Sequence, residues 1–574
     1  MLHSLLFGLL SAALAPQGAG EAPATAPVAA AAEDPVVVRD FGAPGAVGSF
    51  RVKFDRRGAG IFSLQLLDHY VSLDAARREQ HEPGDYQLLV FGGTNHSLRL
   101  QLDSRSASLF GVPLGSAPWN VEQLPDAVRF TIEGKEGLQL AKTFRHRPSH
   151  RELALEIELR LPEGSKPLPD AVAFLDLLGP VLINPVEASM FGNPAVAIGT
   201  TADATQSVVK PHQGPSQVLF EIDGRELGFA GATNRFFAAF LHPLDEASSR
   251  VVHKVEVDSV PSRKDNFTDT EAFSVAQPVY GFRMNVPQPG AASVVRFGIY
   301  LGPKSYTVFS EQPEHARFEP VMDVDLEPPC CIVVPGGRLM ASMLLKLLGF
   351  FHGLVGNWGV AIMMLTILVR AALAPVNFRM QKSMRAYASR MAVLKPKLDK
   401  IKADFEGDAK GYQQAMVAFQ RENKMMPPIG GCLPIFATMP IYLGLFSALR
   451  TAYDLRQAPL FPFWIEDLSQ PDQLFHTGLS WFPHFNLLPL LWIGMFLVMQ
   501  LKMPLPTDPQ QRQVQQIMRF MPVLFGVMLY NYASGLMVYM VTSMVWSMVE
   551  SNVTKKILGP MDPNVQSMAP TPMM

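Results

Sequence analysis

The fold is decided by residues Asn357–Phe378, which read NWGVAIMMLTILVRAALAPVNF. This stretch is apolar and long enough to cross a bilayer as a helix. It carries Arg370 well inside its length, and a guanidinium stays charged at every physiological pH. An ionisable residue within a span is expected to face the interior of a helix bundle or a water-filled cavity. Arg370 is therefore the first candidate functional residue.

Composition divides the chain of 574 residues into two halves. The net charge of −2 points to no class of partner. Residues 36–320 have the pattern of a soluble β-protein, whereas residues 339–557 are rich in Leu, Met and Phe. The three cysteines are too few for a disulfide framework. Zinc spacings, phosphate-binding glycine loops and nucleophile elbows do not stand out, so we expect no metal, no cofactor and no enzymatic activity.

The N-terminal end reads as a targeting segment followed by a tether. Residues 1–15 hold a short apolar run, which suits either a cleaved signal peptide or an uncleaved membrane anchor. Residues 16–35 form a linker rich in Ala and Pro, without the capacity to build a core. Both interpretations of residues 1–15 send the following segment across a membrane.

The dominant period from Val36 to about Phe318 is two. In Glu152–Leu161, leucine and isoleucine alternate with mostly charged residues, which is typical of a strand with one buried face. Short strands separated by Gly, Pro, Asn and Asp predict an all-β sandwich of antiparallel sheets over residues 36–320. The other predicted strands are Phe50–Phe54, Ile61–Leu73, Tyr86–Phe91, Ser97–Leu102, Ala127–Ile132 and Val294–Leu301.

The C-terminal half predicts a polytopic α-helical membrane protein. Residues 338–355 have an apolar stripe at helical spacing and predict an amphipathic helix that lies in the membrane interface. Residues 356–557 predict a core of five spans, followed by a short cytoplasmic tail over residues 558–574. The candidate spans are Asn357–Phe378, Ile429–Leu449, Phe485–Leu501, Ile517–Tyr532 and Leu536–Val553.

Loop charges orient these five spans. Residues 379–427 carry 11 Lys/Arg against 5 Asp/Glu, and residues 502–519 carry 3 against 1. Residues 450–486 carry 2 Lys/Arg against 4 Asp/Glu. The positive-inside rule then places residues 379–427 and the C-terminus in the cytoplasm. The β-domain lies on the opposite, extracytoplasmic side, in agreement with the N-terminal export signal.

The basic loop 379–427 has its own helical pattern. Apolar residues recur at alternating spacings of four and three from Met380 to Phe405, and a second stripe begins at Tyr412. This predicts a helical hairpin of coiled-coil type, with Pro396 as a kink. Its positive charge suits anionic headgroups, ribosomal RNA or a secretion partner. The alternative is a solvated basic face that only obeys the orientation rule.

The candidate site is built around Arg370. Thr366 lies four residues earlier and shares its helical face, so a hydroxyl and a guanidinium are expected to line a water-filled groove between spans. Alternatively, Arg370 snorkels to the headgroups, since it is close to the basic end of the span. Residue positions alone leave both interpretations open.

Eight motifs occur in order in the membrane half: GNWGVAIMMLTILVRAALAP (Gly356–Pro375), LKPKL (Leu394–Leu398), PPIGGCLPIFATMPIYLGLF (Pro427–Phe446), LRQAP (Leu455–Pro459), FWIEDLS (Phe463–Ser469), TDPQQ (Thr507–Gln511), FMPVLF (Phe520–Phe525) and SGLMVYM (Ser534–Met540). Through them this half resembles the YidC/Oxa/Alb family of membrane protein insertases. The β-domain carries GATNRFFAAFLHP (Gly231–Pro243) and FGIYLGPKSY (Phe297–Tyr306), and through them it resembles the periplasmic domain of the Gram-negative YidC type.

This resemblance implies a five-helix insertase core around a hydrophilic groove, in the inner membrane. It implies insertion and folding of nascent membrane proteins, without an energy source, alone or beside the Sec translocon. Arg370 matches the groove arginine and Thr366 the polar residue one turn earlier. Met439 and Pro440 match the stretch along which clients slide, and Tyr539 matches an aromatic residue of the last span. The hairpin 379–427 is the docking candidate for a ribosome or signal-recognition receptor.

The chain departs from the family pattern in three places. Its first apolar run is short and could be cleaved, whereas the usual first anchor is longer and follows a polar start. Tyr539-Met540 stands where relatives often carry two tyrosines, and the tail after Lys556 has no Lys or Arg, which argues against a ribosome-binding tail. Two other functions fit part of the pattern: a small-solute transporter, which an absence of internal repeats disfavours, and a carbohydrate-active envelope protein anchored by its membrane half. An anchor requires neither five spans nor a buried arginine.

Overall fold

A computed structural model describes most of the chain. The described residues are 35–91, 96–168, 171–183, 195–203, 206–221, 225–262, 273–324, 337–405, 407–423, 429–479, 482–501, 520–521 and 523–559. The predicted signal or anchor, the linker up to residue 34, the basic loop 502–519 and the tail from residue 560 lie outside the described residues.

The first half of the chain is rich in antiparallel β-sheet. Among the described residues, its strands form a four-stranded sheet of order β1-β2-β3-β4, a five-stranded sheet of order β13-β16-β17-β10-β5 and a nine-stranded sheet of order β12-β11-β14-β15-β18-β9-β8-β7-β6. In chain order the strands are β1 (Val36–Phe41), β2 (Phe50–Asp55), β3 (Gly60–Tyr70), β4 (Tyr86–Phe91), β5 (Leu100–Leu102), β6 (Asn120–Gln123), β7 (Ala127–Glu133), β8 (Gln139–Arg147), β9 (Glu152–Arg160), β10 (Val172–Leu178), β11 (Val196–Thr201), β12 (Gln206–Val209), β13 (Gln217–Glu221), β14 (Leu227–Thr233), β15 (Phe237–Pro243), β16 (Val252–Ser262), β17 (Phe273–Asn285) and β18 (Ala292–Pro303).

A single hydrophobic core joins the three sheets. Phe282 of β17 stacks on Phe297 of β18 at 5.2 Å between ring centroids, so the five- and nine-stranded sheets pack face to face. The hydroxyl of Tyr280 donates to the carbonyl of Ala230 across the same interface, at 2.8 Å. The predicted β-rich half is confirmed.

The alternation read from the sequence matches the observed strand β9. Leu153, Leu155, Ile157 and Leu159 are buried, while the residues between them are partly exposed. The predicted strand Ile61–Leu73 was too long, because β3 ends at Tyr70. Ser72 then accepts a hydrogen bond from the Ala75 amide and caps a short helical turn.

Glu152 breaks the alternation, because it is a charged residue that is fully buried at the start of β9. One carboxylate oxygen accepts hydrogen bonds from His242 (2.8 Å) and His315 (3.0 Å). The other oxygen accepts from Arg147 at 2.8 Å. His315 belongs to the 3₁₀ segment Pro313–Asp323, so this cluster fastens the segment that leads to the membrane half onto the sheet.

The protonation of Glu152 follows from this environment. Burial acts to raise the pKa of the carboxyl, but hydrogen bonds from His242 and His315, and the charges of His242 and Arg147, lower the pKa to about 2. Gly298 leaves room for the cluster, because a Cβ there would lie 2.9 Å from a Glu152 oxygen. Buried carboxylates persist only when they are paired in this way.

Ten helices occur in the described part of the chain. Residues 523–528 are also helical, and a two-stranded sheet of β19 (Phe475–Leu479) and β20 (Phe482–Phe485) precedes α9. The helices are α1 (Leu73–Ala76), α2 (Ala107–Phe110), α3 (Glu246–Val251), α4 (Tyr306–Phe309), α5 (Gly337–Val355), α6 (Trp358–Asp404), α7 (Ala409–Glu422), α8 (Ile429–Thr451), α9 (Leu487–Leu501) and α10 (Ser534–Leu558).

Helix α6 is longer than the predicted first span. It continues without a break through Pro375 and Pro396 into the predicted hairpin, which α7 completes. Within the described residues, only Trp358–Ser383 is both long and apolar enough to cross a membrane as a helix. Leu339–Val355 and Leu487–Leu501 are shorter apolar helices. The β-rich domain is therefore shown, whereas the five-helix core stays a prediction.

The β-domain contacts the loop that follows α8. The Arg456 guanidinium donates to the Tyr70 carbonyl and to the Gln87 side chain, each at 2.9 Å. The Tyr453 ring lies between His69 and Phe237, at centroid distances of 5.8 and 5.7 Å. These contacts link a buried arginine and a partly buried aromatic ring of the membrane half to the four-stranded and nine-stranded sheets.

Two further hydrogen bonds extend this contact. Arg235 Nε donates to the Arg450 carbonyl at the end of α8, at 2.6 Å. The Ser305 hydroxyl donates to the Asp454 carboxylate at 2.8 Å. The carbonyl of Arg450 belongs to the last turn of the helix, where backbone acceptors have no partner within the helix. The β-domain therefore supplies a hydrogen-bond donor to a backbone carbonyl at the end of α8.

We expect Glu152→Gln to destabilise the β-domain by about 3 kcal/mol, because two histidines and an arginine lose their charged acceptor in a buried site. Glu156→Gln is the matched control, since Glu156 lies on the same strand in an exposed pair with Arg296 at 2.9 Å. This control is expected to cost at most about 0.5 kcal/mol. Hydrogen exchange of the β9 amides in the purified full chain measures both changes.

The same pair of variants tests the pH dependence. The folded-state pKa of Glu152, about 2, lies below its ordinary value of 4.5. Its stabilisation is therefore complete above pH 4.5 and is lost as the pH falls through 2. This slope should be absent from Glu152→Gln and preserved in Glu156→Gln. An unchanged slope in Glu152→Gln would show that another carboxyl controls acid unfolding.

Candidate functional site

The backbone around the start of α6 fixes the depth of Arg370. Gly356 adopts a φ of +68°, which ends α5, and the Asn357 side chain accepts a hydrogen bond from the Val360 amide at 3.0 Å. Arg370 lies twelve residues after Trp358, about 18 Å along the helix axis. The hydrocarbon core is about 30 Å thick, so the residue lies past its middle if α6 spans the membrane.

The Arg370 guanidinium lies between three helices. It donates to the Ser543 hydroxyl on α10, and its central carbon lies 5.1 Å from the centroid of the Tyr442 ring on α8. Tyr442 in turn lies 6.4 Å from the Tyr539 ring on α10. A guanidinium over a tyrosine ring gains a cation–π attraction that strengthens as water is removed. The contacts reach across to neighbouring helices.

The arginine keeps an unused donor. Arg370 is half-buried, and its Nε is buried without a hydrogen-bond partner among the described residues. A guanidinium has five N–H donors in a planar fork, and each buried donor without a partner costs free energy. The site therefore favours a ligand that brings an acceptor, such as water or a carboxylate.

Helices α6 and α10 run parallel in a constant register. Ile362 faces Gly535, where a Cβ would lie 3.5 Å from the isoleucine Cδ1. Arg370 meets Ser543 and, two turns later, Asn377 shares a hydrogen bond with Glu550. The partners differ by 173 positions in all three pairs.

This register creates a polar seam, which we define as Arg370–Ser543 together with Asn377–Glu550. The charge of Arg370 also acts on Glu550, one of whose oxygens is buried without a partner in the described part of the chain. Further along, Arg385 donates to the Gly559 carbonyl at 3.3 Å. Polar groups thus follow one face of α6 from Arg370 towards its basic end.

The other predicted site residues lie around this seam. Tyr539 is buried one turn before Ser543. Met439 and Pro440 are half-buried on α8, next to the turn that carries Tyr442. Thr366 is only 1% exposed, and its hydroxyl donates to the Ile362 carbonyl of its own helix at 2.7 Å. The structure thus brings Arg370 and Tyr539 together, while the Thr366 hydroxyl is satisfied within α6.

Sequence reasoning missed Ser543, Tyr442 and Glu550. Glu550 had a signal, because it is an ionisable residue inside a predicted span and so obeys the rule that selected Arg370. Ser543 lies four residues after Tyr539, and Tyr442 lies three after Met439, so each shares a helical face with a predicted residue. Among the described residues, three or more His, Cys, Asp or Glu side chains do not gather into a possible metal site.

Comparisons with known proteins agree with the predicted resemblance. Residues 350–560 match the family described as 60Kd inner membrane protein. The membrane protein insertase YidC of Chlamydia caviae is 30% identical over 343 residues, or 57% of this chain and 42% of the relative. Residues 350–560 thus resemble the family of the 60Kd inner membrane protein, and the chain is similar to proteins named membrane protein insertase YidC. The insertase of Nitrosospira multiformis is 34% identical over 275 residues, or 47% of this chain and 42% of the relative.

These insertase matches span about two fifths of the relatives' length. Among solved structures, an active YidC insertase with its first transmembrane domain resolved is 15% identical, with a TM-score of 0.35, and covers 90% of this chain and 92% of that one. A galactose mutarotase related enzyme from Lactobacillus acidophilus is 10% identical, with a TM-score of 0.30, and covers 47% of this chain and 98% of that one. These sequence relatives are named as insertases, and membrane insertion is not an enzymatic activity. This agrees with the prediction that the chain is not an enzyme.

We expect Ser543→Ala to lower the stability of the helix bundle by about 1 kcal/mol, since it removes the acceptor of an interhelical hydrogen bond. Ser547→Ala is the matched control, because Ser547 lies one turn later and donates only to the Ser543 carbonyl of its own helix. Thermal unfolding of the purified protein in detergent measures the difference. In an Arg370→Met background the two alanine variants should become equal. A Ser543→Ala loss that persists there would exclude the Arg370 contact as its cause.

Proposed function

We propose that the chain is a membrane protein insertase and chaperone of the inner membrane, which inserts and helps fold integral membrane proteins. The polar seam is the observation that carries this proposal. It joins a charged residue deep in an apolar helix to polar groups that continue towards one end of that helix. The match of residues 350–560 to the family of the 60Kd inner membrane protein, and the similarity to proteins named membrane protein insertase YidC, support the same function.

The proposed core contains five spans around a hydrophilic groove. The parallel register of α6 and α10 supports this, because a first and a fifth span must cross the membrane in the same direction. The basic hairpin 379–427 and the C-terminus lie in the cytoplasm, and the β-domain lies in the periplasm. The seam then leads from Arg370 to the cytoplasmic side.

The groove acts by shortening the path of a polar segment through hydrocarbon. Water drawn to Arg370 and Glu550 hydrates a client tail partway across the membrane. The free Nε of Arg370 offers a donor to an acidic or polar tail. At about 4 Å and an effective dielectric near 20, such an ion pair contributes around 4 kcal/mol before desolvation. This biases entry of the tail without an external energy source.

The client leaves the groove beside α8. Met439 and Pro440 are half-buried next to Tyr442, and Met439 offers a flexible apolar side chain that adapts to different helices. The Tyr539 ring lies beside Tyr442, with 6.4 Å between the ring centroids. Thr366 supports the first span from inside, through its bond to Ile362. The client helix is then released sideways into lipid.

The proposed partners bind at two places, the groove and the hairpin 379–427. Nascent membrane proteins and the lipid bilayer meet the groove. The Sec translocon delivers part of the clients, and the hairpin 379–427 offers its basic surface to a ribosome or signal-recognition receptor. The first helix of the hairpin is the continuation of α6, which runs to Asp404. A partner bound there therefore contacts the same helix that carries Arg370.

Vesicles that contain the purified chain should insert a single-span protein with an acidic N-terminal tail. Arg370→Gln is expected to reduce this insertion about tenfold, equivalent to about 1.4 kcal/mol. Lys382→Gln is the matched control, because it removes the same charge from an exposed position of the same helix. Protease protection of the tail measures insertion. Equal insertion by both variants would reject the role of Arg370.

A photo-crosslinker at Met439 should form adducts with a nascent single-span client. The control position is Leu368, which is 46% exposed and only two residues from Arg370, so it points to another face of α6. We expect lipid adducts from this position. Successful insertion without client adducts at position 439 would refute the proposed route along α8.

A further inference from the structure

An exposed aromatic turn projects from the loop between α8 and β19. We define the aromatic turn as Phe461–Trp464. Phe463 is 84% exposed, and its ring stacks on Phe461 at a centroid distance of 5.7 Å. Phe461 in turn stacks on Trp464 at 6.5 Å. The Phe461 and Phe463 rings thus face outwards, whereas the half-buried Trp464 ring also packs against the core of the membrane half. A water-soluble loop would have no reason to expose the first two rings.

Local hydrogen bonds hold the shape of this turn. The amides of Leu460 and Phe461 both donate to the Ile465 carbonyl, at 2.9 and 3.3 Å. The Trp464 amide donates to the Phe461 carbonyl at 3.0 Å. Leu460 and Ile465, at the base of the turn, are buried in the core of the membrane half. The exposed rings therefore stand on a fixed support.

The position of the turn relative to the membrane is set by α6. The Asn357 side-chain amide donates to the carbonyls of Pro459 and Leu460, at 3.2 and 3.3 Å. A Cβ on Gly359 would lie 2.6 Å from the Leu460 Cβ, so the loop touches the backbone of the first helical turn. Trp358–Ser383 is the apolar stretch of this helix. The aromatic turn is therefore level with the start of that stretch.

A second helix start lies close to the same turn. The Trp464 indole donates to the Asp472 carboxylate at 3.2 Å. The same oxygen accepts from the Leu487 and Leu488 amides, at 2.7 and 3.1 Å, and so caps α9. Trp464 is thus hydrogen-bonded to the residue that caps one apolar helix, and its turn packs on the start of another.

We propose that the aromatic turn Phe461–Trp464 is seated in the headgroup region of the bilayer, in the leaflet at the Asn357 end of α6. Aromatic side chains are favoured at this depth, because their apolar rings leave water while polar edges stay hydrated. The occupant of the exposed surface is lipid, since the surface continues the apolar start of the span. This requires only that α6 spans the membrane, and it does not depend on client insertion.

The seat has a consequence for the β-domain. The same loop carries Tyr453 and Arg456, which contact the β-domain. The loop therefore joins the β-domain to the aromatic turn, and a turn seated in the headgroup region keeps the β-domain near the bilayer. The β-domain is held at the membrane surface rather than on a free tether.

A spin label at Phe463→Cys tests this placement in the full chain. The three native cysteines are replaced by Ser, and the protein is placed in vesicles of phosphatidylethanolamine and phosphatidylglycerol. The matched control is Val218→Cys, because Val218 is an apolar residue of the β-domain that is 54% exposed. We expect the ratio of oxygen to nickel-complex collisions to be several-fold higher at position 463. Both positions are exposed, so neither change disturbs the core.

Two results would overturn the proposal. A label at position 463 that collides with the nickel complex as often as the label at position 218 lies in water. A label that is immobile and shielded from both oxygen and nickel is covered by protein, such as a second copy of the chain. Oxygen access without nickel access is the result that the lipid seat requires.

Discussion

The charged guanidinium of Arg370 constrains the whole membrane half. If α6 spans the membrane, the position of Arg370 about 18 Å along this helix requires neighbouring helices to supply acceptors, because a guanidinium has five donors and hydrocarbon offers none. Ser543 supplies an acceptor and Tyr442 supplies a ring face. Both contacts require α8 and α10 to approach α6 at the same depth. The arginine is thus a point of convergence for three helices.

The same contact sets a register that extends well beyond the arginine. Because α6 and α10 are parallel, the pair Arg370–Ser543 also fixes Asn377 opposite Glu550, two turns along. The Arg370 guanidinium and the Glu550 carboxylate therefore lie on the same seam, about two helical turns apart. Each can attract water, and neither is neutralised by a direct ion pair in the described structure. This arrangement suits a hydrated groove better than a sealed core.

Local patterns predicted the local structure well. The period of two in Glu152–Leu161 corresponds to β9, and the charge of Arg370 singled out a residue that contacts both α8 and α10. Long-range register was beyond such patterns: Ser543 and Tyr442 become visible only once α6, α8 and α10 are packed. Thr366 was expected to line the groove, but a serine or threonine hydroxyl in a helix can bond the carbonyl four residues earlier, as it does here. The extent of α6 was missed because the basic residues after Phe378 are good helix formers.

The loop that follows α8 serves several elements at once. In the last turn of α8, the Arg450 carbonyl accepts a hydrogen bond from Arg235 of the β-domain. Asp472 caps α9. The carbonyls of Pro459 and Leu460 accept hydrogen bonds from the Asn357 side chain at the start of α6. A shift of this loop would move the ends of three helices together. The β-domain supplies none of the seam residues, yet it supports the loop that positions their helices.

Water access to position 370 tests most directly whether Arg370 lies in a hydrated groove. Arg370→Cys, in a chain whose native cysteines are replaced by Ser, is exposed to a membrane-impermeant maleimide from the cytoplasmic side. Leu368→Cys is the matched control, since Leu368 is exposed on the protein surface but faces another side of α6. We expect rapid labelling at position 370 and little labelling at position 368. If the thiol of Arg370→Cys is labelled no faster than that of Leu368→Cys, the arginine does not lie in a wet groove.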